Sequence, residues 1–388
     1  MTELAMEYNI EPTITLGISK FNNIRGVTCY MNSILVILQQ TPILADYILC
    51  GVFKNQLLKK YSSTDKLEES TMYQLYNLFK LSASHDNFNI TPNSFRHAIS
   101  LKDDMWAQQQ HQDSQEFLTF LLSQIENDIS TKVEFIPGLN INKTIKQEHV
   151  MKDEMDIKPK LMEYNTVRIL ATLMYQRFVK NEYSIVKTLM TGMTRITTQC
   201  ELCSNISNNF DIFQTLQLSL PVNSTQMFKT LTLEECLDHY TSNEKMDKDN
   251  KLTCNFCYIK NRPVKKTILW KTPKILIIHL KRFIVNCFGI PTQKLNNMIQ
   301  YPIDNLDIKK YVDPMSPDYD NTTYNLYGVN CHHNLSSGLI STLNYGHYTS
   351  YVKNRYDGSW YEFDDSCVSK KEDVVSKNAY MLFYCRVD

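Results

Sequence analysis

Apolar residues recur at helical spacing from residue 29 to about 40, with Met31, Ile34, Leu35 and Leu38 on one face and Pro42 just past the end. The pattern predicts a helix whose first turn holds Cys29. A second helix is predicted over residues 114 to about 127, where Phe117, Leu118, Leu121, Leu122 and Ile125 line one side after the polar run 108–112. Residues 131–160 are rich in lysine and acids without a clear period and read as a loop or an insertion; residues 161–190 read as one helix. Beyond them the period shortens. Alternating runs at 216–221, 267–270, 275–280, 324–330, 348–352 and 360–363 predict strands of a curved antiparallel sheet. The fold class is therefore α+β, with helices grouped towards the N-terminal part.

Composition narrows the functional classes. The chain has 388 residues, 43% hydrophobic and 21% charged, which is ordinary globular composition. Its 41 basic and 41 acidic side chains cancel, so no basic field argues for nucleic acid or an anionic membrane as partner. Glu3 and Glu7 with no basic stretch predict no signal peptide, and apolar runs such as 34–38 and 275–278 fall far short of the roughly 20 residues of a spanning helix. A cytoplasmic or nuclear location is expected. There, 11 cysteines are expected as thiols, metal ligands or a nucleophile rather than disulfides.

The segment from Gly26 to Ser33 sets Cys29 after Gly-Val-Thr at the positive end of a helix, a placement that favours the thiolate. A small buried apolar cysteine is the bland alternative. Near the other end, residues 346–354 and 357–366 read as two strands joined by a tight turn. The midpoint between His347 and Asp364 falls between Arg355 and Tyr356, so within one or two residues the hairpin sets these two side by side. A carboxylate beside an imidazole fixes its tautomer, as a Cys-His-Asp arrangement requires; a purely structural His–Asp bond is the competing reading.

Cys200-Glu-Leu-Cys203 and Cys254-Asn-Phe-Cys257 are two C-x-x-C pairs separated by the 50 residues 204–253. Four thiolates in two knuckles make a closed tetrahedral zinc site, structural because no ligand position stays open; four unrelated thiols are the alternative. The long gap implies a ribbon-like extension clamped at its tip.

The cysteine box around Cys29, the segment Gln112-Asp-Ser-Gln-Glu-Phe117, the paired C-x-x-C, residues 275–283 and the histidine box 346–366 together resemble the ubiquitin-specific proteases, in order and spacing, over roughly residues 20–386. The resemblance implies a papain-like cysteine protease with a helical thumb (about 20–130), the insertion segment 131–160 read above, zinc-ribbon β fingers (about 193–270) and an antiparallel β palm (about 271–388), all within one catalytic domain over 15–388. It implies that Cys29 attacks the carbonyl of ubiquitin's last glycine through a thioester acyl-enzyme, that His347 moves the proton and that Asp364 orients His347. One structural Zn2+ per chain, ubiquitin and ubiquitinated proteins as partners, and a monomeric state follow from the same likeness. Asp113 and Glu116 match acidic residues that grip arginines of ubiquitin's tail. An aspartate followed three residues later by a glutamate also reads as a capping-box variant.

One departure stands out. The family's oxyanion asparagine lies five residues before the nucleophile, where this chain has Ile24. Asn22 and Asn23 lie just upstream, Asp365 is placed to orient a water, and the backbone N–H of Cys29 is a further donor. Three rival readings follow: a feeble ubiquitin reader disabled at Ile24, a protease for another ubiquitin-like modifier, and a zinc hydrolase, which the all-thiol ligand set excludes.

Overall fold

The computed structural model describes residues 18–61, 63–84, 89–134, 154–222, 229–286, 291–334 and 346–387. Its N-terminal lobe is helical: Cys29–Gln39, Leu44–Cys50, Lys54–Lys60, Thr64–Glu68, Thr71–Ser84, Asn93–Ser100 and Ser114–Ile129. All residues of Cys29–Gln39 are buried, polar ones included. A helix buried on every side is wedged between layers rather than laid on a surface. On its palm side the strands Thr323–Asn334 and Gly346–Lys353 run beneath it. Gly328 lets the backbones approach, since a Cβ there would stand 2.9 Å from Ile37 Cγ2.

The palm is one sheet in the spatial order Cys367–Lys370, Trp360–Asp364, Gly346–Lys353, Thr323–Asn334, Ala379–Arg386, Ile275–Lys281, Thr215–Ser219, with Leu306–Asp307 also on Thr323–Asn334. It is mixed rather than wholly antiparallel, because Ile275–Lys281 runs parallel to Thr215–Ser219. Both faces are covered. Ile275, Ile277, Tyr348 and Phe383 pack with the thumb helices, while Leu276, Ile278, Val329 and Leu382 pack with the helix Leu233–Tyr240 on the other side. That is why residues 275–278 read as an unbroken apolar run.

Two bulges interrupt the pairing of Thr323–Asn334 with Ala379–Arg386, leaving Tyr327 and Tyr380 as the extra residues. Bulges re-aim side chains. Here each sends a tyrosine hydroxyl to the end of a thumb helix: Tyr327 to Thr41 Oγ1 at 3.1 Å and Tyr380 to Asp113 Oδ2 at 2.6 Å.

The fingers are a second sheet, ordered Ile206–Phe213, Gly192–Gln199, Val264–Lys271, Glu244–Lys245. Between the two C-x-x-C pairs the chain returns to the palm through Thr215–Ser219 and Leu233–Tyr240 before climbing again, so the long gap is more than a ribbon. The single helix expected over 161–190 is two, Glu154–Val179 and Ile185–Met190. The break falls where Ser184 caps the second by accepting from Lys187 N–H. Helix therefore occupies 154–160, part of the expected loop, and 135–153 lie outside the described residues. Val167 and Ala171 of the longer helix cover Met193, Phe210 and Trp270 on the finger sheet.

Gly328→Val forces the strand off the wedged helix. It should lower unfolding stability by roughly 1–3 kcal/mol, read from denaturant melts, with the m-value unchanged.

Candidate active site

Thr28 and the helix it precedes put Cys29 at the first turn of Cys29–Gln39, 1% exposed. Among the described residues no acceptor takes its backbone N–H, as expected for the first donors of a helix. His347 opens the strand Gly346–Lys353, and the hairpin register pairs Lys353 with Trp360 and Ser350 with Phe363. Thr349 is thereby opposite Asp364, and His347 lies on its diagonal, a two-residue offset from the sequence estimate. The contact still forms: His347 Nε2 is 2.6 Å from Asp364 Oδ1. This leaves Nδ1 for the thiol. Pairing with the Cys29 side chain, followed by that with Asp364, outweighs burial and pushes the His347 pKa up to about 9.

Asp365 follows in the turn between Asp364 and Cys367, in the left-handed region at φ 50°. Its carboxylate is a clamp. Oδ2 accepts from Asn23 Nδ2 and Oδ1 from Asn32 Nδ2, each at 2.8 Å. Burial raises its pKa, and the two amide donors oppose that rise. Asn23 Oδ1 in turn accepts the backbone N–H of Thr28 at 2.8 Å, so the amide's orientation is fixed beside the nucleophile.

Arg25 and Gly26, with φ of 56° and 75°, form a tight turn between Asn23 and Cys29. Of the two upstream asparagines, Asn23 is the one held beside the start of the Cys29 helix. Asn22 turns away and donates to Thr91 Oγ1 at 2.8 Å.

Of the two acids matched to the arginine grip, Asp113 is occupied as a helix cap and Glu116 is not. Asp113 is the N-cap of Ser114–Ile129: Oδ1 accepts from Gln115 N–H and Glu116 N–H, and Oδ2 accepts from the hydroxyls of Tyr348 and Tyr380. Four donors fill its acceptor sites. Glu116 is exposed, and its side chain does not complete a capping box. Partial desolvation of its carboxyl, followed by the charges of Asp113 and Asp103, raises its pKa.

At the fingertip Cys200 Sγ and Cys257 Sγ are 3.9 Å apart, Cys203 Sγ and Cys254 Sγ 3.7 Å. All four sulfurs lie within 4.8 Å of one another. Disulfides need about 2.05 Å, whereas a tetrahedron with metal–sulfur bonds of about 2.3 Å has edges near 3.8 Å. The four thiols are thus arranged to hold a metal ion. The two knuckles repeat each other: Ser204 and Tyr258, each one residue past the second cysteine, have φ of 57° and 59°. Backbone N–H groups of Cys257 and Phe256 hold the Cys254 thiol down to about 6. His347, Asp364 and Asp365 also lie close enough for a metal. Their ligand atoms are already taken by one another and by the two asparagines.

A helical lobe packed on a sheet, with a four-cysteine extension, is the architecture of ubiquitin-specific protease catalytic domains. The profile of the family described as "Ubiquitin carboxyl-terminal hydrolase" matches residues 20–384, and the chain belongs to that family. Ubiquitin carboxyl-terminal hydrolase 2 of Bos taurus is 30% identical over 371 residues, covering 95% of this chain and 55% of that protein, so the chain spans about half its length. Probable ubiquitin carboxyl-terminal hydrolase R319 of Acanthamoeba polyphaga mimivirus is 26% identical, with 96% and 91% covered. In fold the chain is similar to the SAGA Ubp8/Sgf11/Sus1/Sgf73 DUB module bound to ubiquitin aldehyde, at TM-score 0.68 and 23% identity over 97% of this chain and 71% of that one.

An NMR titration of the His347 ring should give a midpoint near 9, falling in Asp364→Asn and further in Cys29→Ala. Because the folded pKa exceeds the free value of about 6.5, the imidazolium's contribution to stability is complete below that pH and is lost as pH rises through about 9. A midpoint near 6.5 in the wild-type protein would contradict the pairing.

Proposed function

We propose that this protein is a deubiquitinating thiol protease that hydrolyses the isopeptide or peptide bond after ubiquitin's C-terminal glycine. The observation that carries the reading is the 2.6 Å contact of His347 Nε2 with Asp364, which leaves the other ring nitrogen for Cys29 at a helix N-terminus. Cys29 adds to the glycine carbonyl, and the Cys29 N–H and Asn23 Nδ2 donate to the oxyanion. His347 gives its proton to the departing lysine amine, leaving a thioester. It then takes a proton from water to release free ubiquitin, while Asp364 keeps the ring oriented. Asp365 acts at one remove, by holding Asn23.

Glu116 is the better-supported arginine grip for ubiquitin's tail, and Asp113 serves by orienting that helix end. The ion at the fingertip is zinc, one per chain and structural, since four thiolates leave no open position. Residues 15–388 work as one catalytic unit and as a monomer, in the cytoplasm or nucleus, where thiols stay reduced. The ubiquitin-reader alternative rested on Ile24. Asn23 beside the nucleophile supports turnover over that reading.

Turnover of ubiquitin carrying a C-terminal fluorogenic amide tests the assignment. Cys29→Ala should abolish it, Asn23→Ala should lower kcat on the order of 10²-fold, and Asn22→Ala should leave it within about 2-fold. Equal losses at positions 22 and 23 would remove Asn23 from the oxyanion role. Metal analysis should return one zinc per chain, and stripping it with a chelator should cost finger order and ubiquitin affinity before it affects thiol alkylation at Cys29.

A further inference from the structure

Ser33 stands one helical turn beyond Cys29 and so on the same helix face, below the thiol. A chain of buried hydrogen bonds runs through it. Asn330, fully buried in the strand Thr323–Asn334, donates from Nδ2 to Ser33 Oγ at 2.9 Å and accepts at Oδ1 from Ser114 Oγ at 2.8 Å. Ser33 Oγ passes its own proton to the Tyr30 carbonyl at 3.0 Å. Ser350, directly opposite Asn330 in the sheet and three residues past His347, donates to the Ser33 carbonyl at 2.9 Å. Ser114, Asn330 and Ser350 have no exposed surface and Ser33 is 3% exposed.

Ser114 gives to Asn330, Asn330 gives to Ser33, and Ser33 gives to the Tyr30 carbonyl, so one asparagine amide joins both helices to the palm. Apolar packing around the same helix is close but non-directional: a small slide or rotation of Cys29–Gln39 exchanges one set of van der Waals contacts for another. Hydrogen bonds tolerate far less displacement. A reacting constellation must be held within about 0.5 Å. Asn330 meets that need from the palm, because it bonds the helix bearing Cys29 and the helix capped by Asp113 at once, beside the strand bearing His347.

We propose that Asn330 is a positioning residue that sets the Cys29–His347 geometry by locking both thumb helices to the palm through Ser33 and Ser114. The inference rests on the thiol-protease reading above. It adds a residue that touches neither substrate nor reacting atom and acts entirely through Ser33 and Ser114.

The test compares wild type, Asn330→Ala, Ser114→Ala, Ser33→Ala and the Asn330→Ala/Ser33→Ala pair. Each is assayed with the fluorogenic ubiquitin amide across pH and normalised to folded protein by circular dichroism. Asn330→Ala should lose about 10- to 100-fold in kcat with KM within about 3-fold. Its alkaline limb should move below the wild-type value, expected near the His347 pKa of about 9. The double variant should lose little beyond Asn330→Ala, because the two residues share one bond. If Asn330→Ala does not fold, Ser114→Ala carries the test, since it removes a single hydroxyl and leaves the Asp113 cap; it should show a smaller shift in the same direction. Variants that melt earlier but keep the wild-type kcat and alkaline limb would overturn the proposal and leave Asn330 as a stability residue. A wild-type protein without turnover would instead overturn the protease reading, and this inference with it.

Discussion

Everything at this site depends on one buried helix keeping its place. Cys29–Gln39 has no solvent face, so its polar side chains must find partners inside the protein, and two adjacent ones find partners that matter. Asn32 reaches Asp365 and the Phe21 carbonyl, while Ser33 reaches Asn330. One bond system holds the turn that orients Asn23, and the other holds the helix to the palm. In a low-dielectric interior such networks are strong when complete and costly when broken. The sulfur's environment is thus set by directional bonds at each side of the helix start.

Electrostatics divides the neighbouring acids by environment. Asp113 is consumed by two backbone N–H groups and two tyrosine hydroxyls, and it ties the second thumb helix to the palm. Glu116, one turn along, has its carboxylate beside the charges of Asp113 and Asp103. Asp364 and Asp365 are consecutive, yet one faces the imidazole and the other the asparagines, because the left-handed backbone at Asp365 reverses the chain between them. Neighbouring carboxylates acquire different tasks from backbone geometry alone.

The parts legible in sequence were those with a period or a fixed spacing. The helix at Cys29, the strand hairpin after His347 and the paired knuckles all depend on local rules, and the hairpin's two-residue offset, within the one or two residues allowed, arises because its turn centres between Tyr356 and Asp357 rather than between Arg355 and Tyr356. What was illegible is three-dimensional. Counting back five residues gave Ile24, and only the turn with positive φ at Arg25 and Gly26, with the bond from Thr28 N–H, shows that Asn23 lies beside the nucleophile. An Asp-x-x-Glu spacing fits both a cap and a ligand grip, and the bulged Tyr380 decides the matter for Asp113. Asn330 carried no signal at all, since a polar residue in an apolar strand reads as a blemish until its partners are seen. The helix break falls in the polar run Lys180-Asn-Glu-Tyr-Ser184, a local stop-and-cap signal that reading 161–190 as one helix passed over.

The central claim is that the Cys29 sulfur is an activated nucleophile aimed at the end of ubiquitin's tail. Its most direct measurement is covalent trapping: ubiquitin with a C-terminal electrophile in place of the last glycine carboxylate, followed by intact mass and peptide mapping. A single adduct on Cys29, absent in Cys29→Ala and slowed in Asp364→Asn, is the predicted result. Modification spread over exposed thiols such as Cys50 and Cys367, or no adduct with folded wild-type protein, would contradict it.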